Sequence, residues 1–227
     1  MKSLLALFLL LVTGIAFAAP PQKVSAVYEV TRNGQPFATV SETYKQEDGR
    51  YQIESLTKGI GVYALFGIRK FISVGEVTTE GLRPSRFEVH QGNKKPQVAS
   101  FDWETHKLIM LGKKQTITDL ESGAQDLASF PYQFMFHAPS GEQFSLAVST
   151  GKKLGVYQYR IADTNESLDG VMGGIKTLRL TSVAKNEGDD EKELWLAKDK
   201  HHIPAKITFR DENGARIEQV LTSLSFE

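Results

Sequence analysis

Apolar and polar residues alternate with a period of two along most of the chain after residue 23, and tight-turn signals break the alternation at short intervals. Successive side chains of an extended strand point to opposite faces, so this pattern specifies half-buried strands. Val24, Ala26, Tyr28 and Val30 alternate with Ser25, Glu29 and Thr31. Asn33-Gly34 follows, a hairpin turn because both residues tolerate positive φ. Ala38, Val40 and Tyr44 form a second strand, Asp48-Gly49 the next turn, and Tyr51 and Ile53 begin a third. The same reading predicts strands near 71–79, 83–91, 96–104, 107–111 and 114–119. It predicts six more near 143–150, 154–162, 174–185, 192–198, 204–211 and 215–226. An open sheet of so many strands leaves exposed edges. The pattern therefore predicts a mainly β fold, with antiparallel strands curled into a half-open or near-closed barrel.

Two segments break the alternation. GIGVYALFGI, residues 59–68, is apolar and carries three glycines. Ala124–His137, AQDLASFPYQFMFH, repeats Leu127, Phe130 and Phe134 at three- and four-residue spacing. That spacing predicts a short helix, with Pro131 tolerated in its first turn. The barrel thus carries one or two short helical segments.

The N-terminus, MKSLLALFLLLVTGIAFAAP, has Lys2, an apolar run from Leu4 to Val12 and an Ala16-Phe17-Ala18 cleavage site. It reads as a signal peptide over 1–18, too short for the ~20 apolar residues that span a bilayer. Residues 19–227 then form a single β-rich domain with no transmembrane anchor after cleavage. The chain has no cysteine, which excludes a lipoprotein, disulfides and thiolate zinc sites. A Gram-negative periplasm is the expected location. Removing Lys2 from 27 basic residues leaves 26 against 27 acidic ones, so nothing in the charge balance calls for nucleic acid.

Polar chemistry is sparse. His201-His202 falls in the turn before Pro204, where two adjacent histidines on a strand would face opposite ways, so no metal site and no cofactor are expected. Asp102 and Glu104 flank Trp103 and would share one strand face, a carboxylate pair that could do acid–base work beside a histidine. The GDDE run at 188–191 reads as a charged turn.

LWLAKDKHHIPAKITFRDENGARIEQVLTSL resembles the C-terminal signature of the bacterial domain-of-unknown-function 3108 family: a tryptophan strand, an acidic turn, a proline-led strand, a glycine turn and a final strand. YEVTRNGQPFATV resembles that family's opening hairpin, GLRPSRFEVH with FDWE its central strands, and AQDLASFPYQF its helical segment. The resemblance implies an exported, single-domain β protein and carries no activity. The Trp-strand, turn, Pro-strand order is also similar, at the level of fold analogy, to periplasmic lipoprotein-carrier half-barrels.

Apolar side chains outside the strand pattern fill a core or mark a contact surface. Val62, Tyr63, Leu65, Phe66 and Ile68 from the first irregular segment, with Phe130, Phe134 and Phe136 from the second, are the candidate ligand-binding residues. The expected function is a non-catalytic periplasmic binding protein for an apolar or lipid-like ligand. The first alternative is an envelope structural protein that docks a partner through residues 60–71. The second is a hydrolase using Asp102 or Glu104.

Overall fold

The computed structural model describes residues 19–112, 114–169, 172–183, 192–211 and 213–227. The signal peptide expected over 1–18 and the turn expected at 188–191 lie outside the described residues. The alternating segments fold as expected into strands: β1 (Lys23–Arg32), β2 (Gln35–Glu47), β3 (Arg50–Gly59), β4 (Arg69–Thr78), β5 (Gly81–Gln91), β6 (Gln97–Asp102), β7 (Lys107–Leu111) and β8 (Gln115–Asp119). After β9 (Gln125–Asp126) and α1 (Phe130–Gln133) come β10 (Gln143–Ser149), β11 (Leu154–Leu168), β12 (Ile175–Ser182), β13 (Glu193–Ala197), β14 (Pro204–Arg210) and β15 (Arg216–Phe226). Asn33 and Gly34 adopt φ of 50° and 79°, and Asp48 and Gly49 of 48° and 72°, the left-handed conformations that these hairpin turns require.

The strands form one sheet in the order β8-β7-β6-β5-β4-β3-β2-β1-β15-β14-β13-β12-β11-β10-β9. Two antiparallel meanders meet where β1 pairs with β15, so the first and last strands lie side by side in the middle of the sheet. The order does not close. Among the described residues the ends, β8 and β9, pair with β7 and β10 alone, so the sheet is open, and the half-open or near-closed barrel expected from the sequence is not formed. Long exposed edges favour closure because their backbone groups are unpaired. Here the edges are blunted instead: β9 has two residues, and β8 has five, four of them polar.

The inward phase of the alternation builds the core. Val24, Tyr44, Ile53, Phe87 and Leu108, from strands of the first meander, are fully buried in one cluster with Tyr132 of α1. The Tyr44 ring stacks between those of Tyr51 and Tyr132, at centroid distances of 6.4 and 5.6 Å. A second cluster in the other meander holds Tyr159, Leu178, Leu180, Leu194 and Leu196 together with Phe134. Fully burying each such aliphatic side chain contributes about 1.5–3 kcal/mol.

Residues 120–137 connect the two ends of the sheet and contain less helix than their spacing predicts. Only Phe130–Gln133 is helical, preceded by the two-residue β9. Hydrogen bonds to the sheet compete with further helix. Gln133 accepts from the Leu82 N–H at 2.7 Å and donates to the Glu80 carbonyl at 2.8 Å. Gln125 donates to the Leu82 carbonyl at 2.8 Å. Asp126, fully buried, accepts from Ser73 Oγ at 2.6 Å and from the backbone N–H groups of Ala128 and Ser129 at 2.8 and 2.9 Å. Tyr51 extends the chain through its hydroxyl, 3.0 Å from Ser73 Oγ.

Burial raises the Asp126 carboxyl from 3.8 to about 6, against the pull of its hydrogen bonds. Between those values the folded chain binds more protons at this site than the unfolded chain, so this group's contribution to stability falls as pH rises and levels off above about 6. At ~1.4 kcal/mol per pK unit the fall is roughly 3 kcal/mol. Other carboxylates titrate in the same range, so the difference between variants is the readout. Urea unfolding at about pH 4 and about pH 7 is expected to show Asp126→Asn gaining on the wild type at the higher pH.

Candidate functional site

Residues 59–68 end β3 and fold back on it as a single 3-10 turn, Gly61–Phe66. Glycine is required at two of its positions. A Cβ on Gly59 would run into the Tyr63 carbonyl, and Gly67 ends the turn at φ 74°. The Ile60 N–H donates to the Phe37 carbonyl at 2.9 Å, which ties the turn to β2. Tyr63 points back against Phe37, with ring centroids 4.6 Å apart and edge-on. Val62, Leu65, Phe66 and Ile68 are exposed.

Beside the turn lies a cavity of about 580 Å³, within the roughly 300–1,000 Å³ of small-molecule sites. Both meanders line it. Phe37, Val40 and Phe71 come from the first, and Tyr157, Ile207 and Phe209 from the second. Phe71, Tyr157, Ile207 and Phe209 lie in the inward phase of their strands and are only half-buried because they border empty space, and half-buried Phe37 reaches it from the register shift beside Ala38. Leu127, Phe130 and Pro131 of the crossing segment close part of the wall.

Few charges enter. Glu42 lies beside Ser55 and accepts its hydroxyl at 3.0 Å, and Tyr132 donates to the other carboxylate oxygen at 3.1 Å. Burial pushes the Glu42 carboxyl up, opposed by these two hydrogen bonds. Toward the turn stand Arg69, Lys192 and Asp211. Asp211 accepts from Arg32 Nε at 3.0 Å, a bond that raises the Arg32 guanidinium, with a smaller contribution from Tyr63. The Arg69 guanidinium lies 4.7 Å over the Phe71 ring, and surrounding protein lowers its pKa by desolvation. Lys192 lies 4.3 Å over the Tyr157 ring.

Of the eight candidate ligand-binding residues, Tyr63, Phe66 and Phe130 line the cavity. Val62, Leu65 and Ile68 are exposed outside it. Phe134 is buried against Tyr159 and Phe144 in the second core cluster, and half-buried Phe136 packs against the first. Glu42, Phe37, Tyr157 and Phe209 line the cavity outside the candidate set, as do Arg69 and Phe71, which fall within the 60–71 segment expected to dock a partner. Glu42 carried a legible signal: it stands in phase with Ala38, Val40 and Tyr44, where an inward strand position holds a carboxylate.

The polar candidates are built into turns. β6 ends at Asp102, so Trp103 and Glu104 leave the strand and the shared face expected for Asp102 and Glu104 is not formed. Asp102 Oδ1 accepts the N–H groups of Glu104 and Thr105 at 3.1 and 2.9 Å, and the Thr105 bond in particular lowers its pKa. Trp103 Nε1 donates to the Pro84 carbonyl at 2.6 Å. His201 and His202 sit consecutively in the left-handed region, φ 51° and 56°, with the His201 ring edge-on to Phe226. Among the described residues no group of three metal-binding side chains converges, and no helix is long and apolar enough to cross a membrane.

The two kinds of aromatic position predict different mutational costs. Phe134→Ala should lower stability by about 3–5 kcal/mol, whereas Phe66→Ala should change it by less than about 0.5 kcal/mol, both read from urea unfolding midpoints.

Solved structures give a fold match. The chain is similar to a β-barrel-like protein of domain of unknown function 1849 from Brucella abortus, with TM-score 0.58 and 11% identity over 92% of this chain and 99% of that one. A putative outer membrane lipoprotein-sorting protein domain from Vibrio parahaemolyticus aligns at TM-score 0.28, 13% identity and 90% and 85% coverage. A protein of the DUF1329 family from Desulfovibrio piger aligns at 0.24, 10% identity and 91% and 86% coverage. No curated protein sequence matches the chain. The family model described as protein of unknown function (DUF3108) matches residues 27–222, and the chain belongs to that family.

Proposed function

We propose that this protein is a non-catalytic binding protein that holds an apolar, lipid-like molecule in the cavity between its two meanders. The observation that carries the reading is the incompletely filled interior. Phe37, Phe71, Phe130, Tyr157, Ile207 and Phe209 are half-buried around about 580 Å³ of space. Apolar side chains left facing a void forgo dispersion contacts and burial that an apolar occupant would restore. Tyr63 and Phe66 form the wall nearest the solvent, and a turn flanked by Gly59 and Gly67 suits a lip that yields to a ligand. Arg69 and Lys192 at the same end would meet the polar end of an amphiphile.

The proposal includes cleavage after Ala18 and residence of residues 19–227 in the periplasm as one β-rich domain. It rests on the apolar run and the Ala16-Phe17-Ala18 site. N-terminal sequencing of exported protein should begin at Ala19.

Native mass spectrometry of exported protein purified without detergent tests the binding directly. A reproducible extra mass, lost on solvent extraction, is expected. Thr57 faces the cavity from β3, so Thr57→Trp fills the space. This variant should fold as the wild type does, lack the extra mass and bind a fluorescent fatty-acid probe at least about ten-fold more weakly, a loss of ~1.4 kcal/mol. Equal probe binding by both proteins would remove the cavity as the site.

A further inference from the structure

The turn that borders the cavity presents an apolar apex to solvent. Leu65 is 88% exposed, Phe66 72% and Val62 71%, and Ile60 and Ile68 extend the same surface. Scattered exposed apolar residues need no explanation, but five within nine consecutive positions form a patch. None of the three most exposed belongs to a buried cluster, and Phe66 alone reaches the cavity wall.

The ground behind this apex is basic. No acidic residue occurs between Glu54 and Glu76, or between Glu88 and Asp102. The first interval carries Lys58, Arg69 and Lys70, and the second Lys94 and Lys95. The fold brings the two intervals together. Arg69 pairs in register with Gln91, Gln91 donates to the Phe66 carbonyl at 3.1 Å, and the Gly92 N–H donates to the Ile68 carbonyl at 3.1 Å. Leu65 and Phe66 share a shallow groove with Lys94. Lys70 pairs with Glu54 at 2.8 Å, while Lys58, Arg69, Lys94 and Lys95 have no ion-pair partner among the described residues.

We infer that the apex at residues 60–68 docks on an anionic lipid surface. A greasy tip with cations set behind it matches the layering of a bilayer interface, where acyl chains lie beneath negative headgroups. A protein partner would need apolar complementarity with acidic groups arranged around it, and a second copy would set like charges against each other. Because Phe66 lines both the apex and the cavity, docking would bring the cavity mouth against the lipid. The surface stands on its own observations and does not require that the cavity be filled.

Vesicle co-sedimentation of protein exported and processed by its host is the test. The wild type should sediment with vesicles of phosphatidylethanolamine and phosphatidylglycerol, and should stay in solution with phosphatidylcholine alone or at high salt. Leu65→Asp with Phe66→Asp should abolish binding. Because both side chains are exposed, circular dichroism should show an unchanged fold. Neutralising Lys58, Lys94 and Lys95 to Gln should weaken binding about five-fold for each charge removed. Thr57→Trp should bind vesicles as the wild type does, which separates this surface from the cavity. Absence of sedimentation, equal binding to neutral vesicles or equal binding by the Asp variant would overturn the inference. So would a wild-type dimer in sedimentation velocity that the Asp variant converts to monomer, since it would assign the apex to a second copy.

Discussion

Asp126 holds residues 120–137 against one face of the open sheet, and the closure of the core depends on that attachment. Its carboxylate reaches Ser73 in β4, while its own strand, β9, is bonded in parallel to β10 at the far end of the strand order. One side chain thus links elements that lie far apart in the sheet. The hydrogen bonds of Gln125 and Gln133 to the backbone around Leu82 reinforce the link. Burying a carboxylate is unfavourable unless hydrogen bonds compensate, and the raised pKa of Asp126 records that compensation as incomplete. With the segment in place, Tyr132 stacks on Tyr44 and Phe134 enters the second cluster.

The same segment accounts for the cavity. Its aromatic side chains divide between packing and lining: Tyr132 and Phe134 are buried, while Phe130 remains half-buried at the cavity wall, stacked near Tyr159. The crossing segment leaves space between the meanders, and the 3-10 turn borders it with Tyr63, packed on Phe37, and with Phe66. Glu42 is a carboxylate in the cavity wall. Ser55 and Tyr132 donate to it, and burial raises its pKa against the pull of these two hydrogen bonds.

Much of the fold was legible in the sequence. Period-two alternation located fourteen of the fifteen strands among the described residues to within a few residues, apart from the extended end of β11, because each buries one face and the period encodes that face. Asn33-Gly34 and Asp48-Gly49 marked their turns because few other residues accept positive φ. The missed strand, β9, is two residues long and paired to a distant partner, and so leaves no periodic trace. Of the site, the two irregular apolar segments were visible, but the side of each on which a residue falls was not. Tyr63 and Leu65 stand two positions apart on one turn, one half-buried and one almost fully exposed.

The sequence by itself determined the strands, their turns and the inward phase that builds the core, since these follow from local periodicity and backbone sterics. Tertiary structure alone decided that the sheet stays open and that β1 lies beside β15. It also decided that Asp126 is buried, and that side chains separated by more than a hundred residues, such as Phe37 and Phe209, border one cavity. Each of these depends on which strands become neighbours. That choice is made by long-range hydrogen bonds and side-chain contacts whose partners no local pattern names.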